Sequence, residues 1–188
     1  MTVSDFYAAY DQLDGLHQRC WAHLLRDIHE LRTQQPDDAG LTAWADAVKA
    51  LDDRAIAWAT DPALRPPSQR HAARRGFERE LLALCQAQPA TTRPATLCKR
   101  VERYHPELFM FVADPAVPST NNAAERALRP LVIARKISGG SRSAKGSRTR
   151  MILQSLIATW DLRAQDPVAA MRVLLQTPRI PNGKMVPV

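Results

Sequence analysis

Three cysteines, Cys20, Cys85 and Cys98, are too few and too unevenly spaced to form a paired framework, which excludes a small secreted scaffold held by disulfides. No amino-terminal stretch joins basic residues, a long apolar run and a cleavage site, so a reduced, cytoplasmic protein is expected. No uninterrupted apolar run approaches the roughly 20 residues of a membrane-spanning helix, and no membrane partner is expected. Repeats are lacking, and little of the chain reads as strand. No serine or cysteine stands in a recognisable nucleophile motif, and the five histidines do not converge in sequence. The most informative gap is in acids. After Glu125 none occurs until Asp161.

The 188 residues suffice for one domain of ordinary size, or a core with an appended subdomain. Net charge is +7, but residues 119–188 carry +9 while residues 1–118 carry −2. Within the last third, Arg126, Arg129, Arg135, Lys136, Arg142, Lys145, Arg148 and Arg150 fall in 25 residues with no acid between them. Such a cluster suits a polyanion, nucleic acid before membrane, because no amphipathic helix with bulky aromatics accompanies it. A solvated cationic face is the alternative.

Helical periodicity dominates the chain. FYAAYDQL at 6–13 reads as helix, His17 to Cys20 as a short strand, and Trp21, Leu24, Leu25, Ile28 and Leu31 as the apolar face of a helix ending before Pro36. Residues 41–60 form another helix, stopped near Pro62. RPPSQRHAARRG at 65–76 is a basic loop or helix entry. ERELLALCQAQ continues as helix, Pro94 starts a further one, and His105 to Val112 turns from helix into an extended apolar run. Thr120 or Asn121 caps a helix through Glu125 that Pro130 bends or ends. SGGSRSAKGSR at 138–148 reads as a Gly/Ser loop. Ile152, Leu153, Leu156, Ile157 and Trp160 mark a helical face, and Asp166 with Pro167 opens a last helix before an irregular tail from Pro178.

Three constellations invite chemistry. On a helix, Asn121, Glu125 and Arg129 fall at i, i+4 and i+8, with Asn122 three residues before Glu125, so one face carries two amides, a carboxylate and a guanidinium. The same residues would serve equally as a cap and a dipole-complementing ion pair. The glycine loop runs Gly140-x4-Lys145-Gly146, which is not the order of a nucleotide-binding P-loop, and no buried strand precedes it. Its cations still suit nonspecific contact with a DNA backbone. Cys20 and His23 form a C-x2-H pair, but zinc needs two more ligands and none is suitably spaced, so a buried thiol and a hydrogen-bonded imidazole are the better reading.

Taken together, VSDFYAAY at 3–10, CWAHLLRDIHEL at 20–31 and STNNAAERALRPLVIARKISGGSRSAKGSRTR at 119–150 resemble the insertion-sequence-66 family of bacterial transposases, of the DDE class with a ribonuclease H-like core. The resemblance implies a mainly α chain: a partial ribonuclease H-like α/β core lacking its first strands (1–34), a helical insertion (35–117), carboxy-terminal core helices with a basic segment (118–177) and an irregular tail (178–188). It makes Asp5 the second and Glu125 the third acid of the catalytic triad, both of them metal ligands. Asn121, Asn122, Arg126, Arg129, Arg135, Lys136, Arg142, Lys145, Arg148 and Arg150 become DNA contacts, and Cys20 and His23 a structural pair.

In such enzymes carboxylates hold two Mg²⁺ about 4 Å apart, which activate the attacking oxygen and stabilise the leaving one. A lone carboxylate among arginines is then intelligible, because Glu125 serves the metal and the cations serve the DNA. The family's first aspartate lies well upstream of the second, and Asp5 is the fifth residue. The expectation is a truncated, carboxy-terminal part of a transposase, inactive alone. Its partners would be the DNA of transposon ends, an amino-terminal half and a second copy on DNA. A non-catalytic DNA-binding remnant or regulator is the alternative.

Overall fold

The computed structural model describes residues 1–61, 65–87 and 94–177, and the tail expected from Pro178 lies outside them. The chain is mainly helical. Strands β1 (Thr2–Ser4) and β2 (His17–Arg19) pair in parallel, with Thr2 opposite His17 and Ser4 opposite Arg19. A parallel pair requires a crossover, supplied here by residues 5–16. That crossover holds only a 3-10 helix, Ala8–Gln12, and not the α-helix the sequence suggests for FYAAYDQL. The physical reason is that no face of it is buried, while the Asp5 carboxylate takes the Tyr7 N–H at 2.9 Å and Gly15, at φ 105°, turns the chain into β2.

Eight α-helices follow among the described residues: α1 (Trp21–Gln34), α2 (Ala39–Thr60), α3 (Pro67–Gln86), α4 (Ala95–Leu108), α5 (Met110–Ala113), α6 (Asn122–Ser138), α7 (Ala144–Leu162) and α8 (Pro167–Gln176). Asp38 caps α2, accepting the Leu41 N–H at 2.8 Å. Pro67 takes the first position of α3, where its missing N–H costs nothing, so the basic stretch from Arg65 is a helix entry. The segment 109–112 is not extended. Gln18, fully buried, donates to the Leu108 carbonyl at 3.0 Å and accepts the Phe111 N–H at 3.2 Å, satisfying the backbone where α4 breaks and α5 begins.

The chain divides into two compact units, Met1–Ala123 and Ala124–Val188. In the first, α1 to α5 enclose a core of Trp21, Leu24, Trp44, Val48, Leu81, Val101, Leu108 and Phe111 around Phe109. Trp21 and Phe77 lie against the Phe109 ring, with centroids 5.2 and 5.8 Å away. In the second, α6 continues through Pro130 to Ser138, and Gly139 (φ 66°) and Gly140 (φ 96°) lead the chain out. Ser143 then caps α7 by accepting the Gly146 N–H at 3.1 Å, so the loop expected at 138–148 shrinks to 139–143. No described residue of α6, α7 or α8 is buried. Among the described residues no helix is long and apolar enough to cross a membrane.

Candidate functional site

Asp5 follows β1 directly. Its Oδ1 accepts the Tyr7 N–H, and its main-chain carbonyl accepts from Arg19 Nη1 at 3.0 Å. Arg19 lies on β2, 1 % exposed, so its charge survives burial only because partners surround it. Its Nε donates to Glu107 at 2.6 Å and its Nη2 to Asp11 at 2.5 Å, while the guanidinium carbon sits 4.5 Å from the Tyr104 ring centroid. Asp11 also accepts from Arg103 and from the Tyr104 hydroxyl, each at 2.8 Å. The Tyr104 hydrogen bond, with Arg19 behind it, holds the Asp11 carboxyl below its ordinary range against the opposing effect of burial. Burial works against the Arg19 cation, but Glu107 and Asp11 outweigh it and raise its pKa. The backbone bearing Asp5 is thereby fastened to β2, the 3-10 helix and α4.

Cys20 is fully buried at the cap of α1, and its Sγ accepts the Asn121 N–H at 3.3 Å. Beside it the Trp21 N–H donates to the Ser119 carbonyl at 3.1 Å. The thiol thus joins the C-x2-H pair to the STNN run, 101 positions away. His23 lies half-buried in the first turn of α1. Asn121 keeps its Oδ1 buried with no hydrogen-bond partner among the described residues, and the half-buried Asn122 opens α6.

Glu125 stands exposed in the first turn of α6, followed on that helix by exposed Arg126, Arg129, Arg135 and Lys136. Arg142 lies in the turn to α7, and Lys145, Arg148 and Arg150 in its first two turns. Arg150 Nη2 donates to Ser138 Oγ at 3.0 Å. A groove of about 610 Å³ runs between α6 and α7, with Leu131, Ala134, Leu153 and Ile157 as an apolar wall and Lys145, Thr149 and Arg150 as a polar one. Cations beside the amino end of a long helix provide both charge and free N–H groups for phosphate oxygens.

Asp5 belongs to the first unit and Glu125 to the second. Their hard oxygen donors suit Mg²⁺, yet among the described residues no group of three or more His, Cys, Asp or Glu is arranged to hold a metal ion. The Arg19 network was not legible in the sequence. Glu107 lies 88 positions from Arg19, and nothing local signals that a strand arginine will be buried.

No curated protein and no solved structure matches the chain. The family model described as Transposase IS66 family matches residues 1–149, which include β1, the helices of the first unit, Glu125 and the start of α7. With most of its length so matched, the chain belongs to the IS66 family of transposases.

Proposed function

We propose that this transposase-family chain carries the second and third acids of a DDE active site, Asp5 and Glu125, and a DNA-binding surface in its basic last third. DNA, at the ends of a mobile element, is the partner that family membership implies. On this reading β1, β2 and α1 are part of a ribonuclease H-like core, residues 35–117 a helical insertion, and 118–177 the carboxy-terminal core helices. Asp5 and Glu125 would hold Mg²⁺, which when bound supplies charge stabilisation at the phosphorus under attack. Arg19 fixes the Asp5 backbone. Arg126, Arg129, Arg135, Lys136, Arg142, Lys145, Arg148 and Arg150 neutralise phosphates, and Asn121 and Asn122, just before Glu125 in the chain, would add amide contacts to the same DNA.

The observation that carries the reading is the run of mostly exposed cations from α6 to α7, of which Lys145 and Arg150 line the groove, following one carboxylate and free of other acids up to Asp161. With about five phosphates neutralised, log K against log salt should fall with a slope near −4 to −5, at roughly −0.9 per contact. A flat dependence sinks the proposed surface.

Only two carboxylates are assigned, and two metals require a third, so the chain alone is expected to bind DNA without cutting it. A non-catalytic DNA-binding role is favoured by the same point. An amino-terminal half bearing the first aspartate, and a second copy on DNA, would complete the assembly. Mg²⁺-dependent nicking by the isolated chain, abolished by Glu125→Ala, is the result that overturns the expectation of inactivity.

A further inference from the structure

Most aromatic rings among the described residues are buried or half-buried. Trp21, Trp44, Tyr104, Phe109 and Phe111 are buried, and Phe6 packs edge-on against Tyr104 with centroids 5.7 Å apart. Tyr7 and Tyr10 are the exceptions: 66 % and 38 % exposed, they are the exposed aromatic rings among the described residues. They meet each other edge to face, with centroids 6.1 Å apart and planes at 83°. Neither ring belongs to the hydrophobic core of the described residues, and a ring left in water contributes little to folding.

Their placement is fixed all the same. The Tyr7 N–H is the donor that holds Asp5 Oδ1, and the Tyr10 N–H donates to the Tyr7 carbonyl at 3.0 Å. The next residue, Asp11, is clamped by Arg19, Arg103 and Tyr104. Arg103 itself is 67 % exposed, so a cation reaches solvent from the same cluster. Two rigidly based aromatic rings with an exposed guanidinium nearby offer a π face and a phosphate contact together. That combination matches a nucleotide out of its duplex, since every base has a face to stack and a phosphate beside it.

We propose that Tyr7 and Tyr10 form a stacking platform for an unpaired base of the DNA strand whose phosphate is presented to Asp5, with Arg103 contacting the backbone. This rests on the DNA-binding reading above and adds to it a single-stranded ligand at a place outside the basic last third. A second copy of the chain could instead cover the two rings, and the test separates the two cases.

The experiment uses the full chain and two DNA probes, a blunt duplex and the same duplex with a short 3′ overhang carrying 2-aminopurine, whose fluorescence falls on stacking. Wild-type protein should quench the overhang probe and bind it more tightly than the blunt one. Tyr7→Ala with Tyr10→Ala should abolish the quenching and weaken overhang binding about tenfold, leaving blunt-duplex affinity unchanged. Tyr7→Phe should keep both, because the ring remains. Both side chains are exposed, so these variants should fold.

Unchanged quenching in the double alanine variant, equal losses on both probes, or a self-association that the double variant abolishes would each overturn the platform. Absence of salt-dependent binding to either probe by the wild type would remove the underlying DNA-binding reading as well. Tyrosine-independent binding to both would remove the platform alone.

Discussion

Asp52 lies on α2 with 3 % exposure, and its Oδ1 has no hydrogen-bond partner among the described residues. Burial pushes its carboxyl up to about 6, with Lys49 pulling the other way and Asp53 adding to the rise. An unfolded chain ionises this group near 3.9, so between about pH 4 and 6 the folded state holds the proton that the unfolded state has lost. Its contribution to stability therefore falls as pH rises through that window and stays low above it, a penalty of roughly 3 kcal/mol at 1.36 kcal/mol per pH unit. Asp52→Asn should accordingly raise stability at pH 7.5 by about 1–3 kcal/mol and have almost no effect at pH 4. Urea unfolding at the two pH values decides this, and an equal effect at both would refute the assignment. Nothing in LDDR distinguishes Asp52 from Asp53; only the helical face that meets the core does. Arg19 is the same lesson with opposite chemistry, since its partners on α4 are absent from any local window.

At the scale of elements, the helices with local signals were legible. The apolar face of α1 is written in the spacing from Trp21 to Leu31, and α8 opens where Asp166 and Pro167 place it, with the Asp166 carboxylate accepting the Val168 N–H at 3.0 Å. Elements whose ends depend on a distant residue were not legible. The break between α4 and α5 is satisfied by Gln18 from β2, which lies 90 positions away from Leu108. The glycine-rich stretch misled for a local reason: Ser143 and Gly146 look like loop residues but are a helix cap and its donor. A Cβ at Gly146 would come 3.2 Å from Ser143 Oγ, so a larger residue there would press on the capping hydroxyl. Ser143→Ala should cost α7 about 1 kcal/mol at its amino end, seen as faster amide exchange at Gly146 with little change at Leu156. Unaltered exchange at Gly146 would mean that the cap does not hold α7.

For the whole molecule, the segregation of charge was visible in the residue counts, and the structure adds a segregation of packing. Every buried residue described lies at or before Val112, while the carboxy-terminal helices leave Leu128, Ile133, Ile137, Ile152 and Leu162 exposed. Residues 1–123 alone should therefore retain the cooperative thermal transition of the full chain while losing its salt-dependent DNA binding. Calorimetry on that fragment tests the division, and a broad, uncooperative trace would contradict it. The 120 positions from Asp5 to Glu125 say nothing of tertiary placement, which neither spacing nor periodicity encodes. One contact bears on that spacing. Cys20 Sγ and the Asn121 N–H, 101 positions apart along the chain, touch in space, as do Trp21 and Ser119 beside them. The path from α1 to α5 is thus a closed circuit with a narrow neck. The 101 positions between Cys20 and Asn121 therefore add almost nothing to the distance between the two ends of the circuit, and the STNN run stays anchored beside the end of β2 however far along the chain it lies.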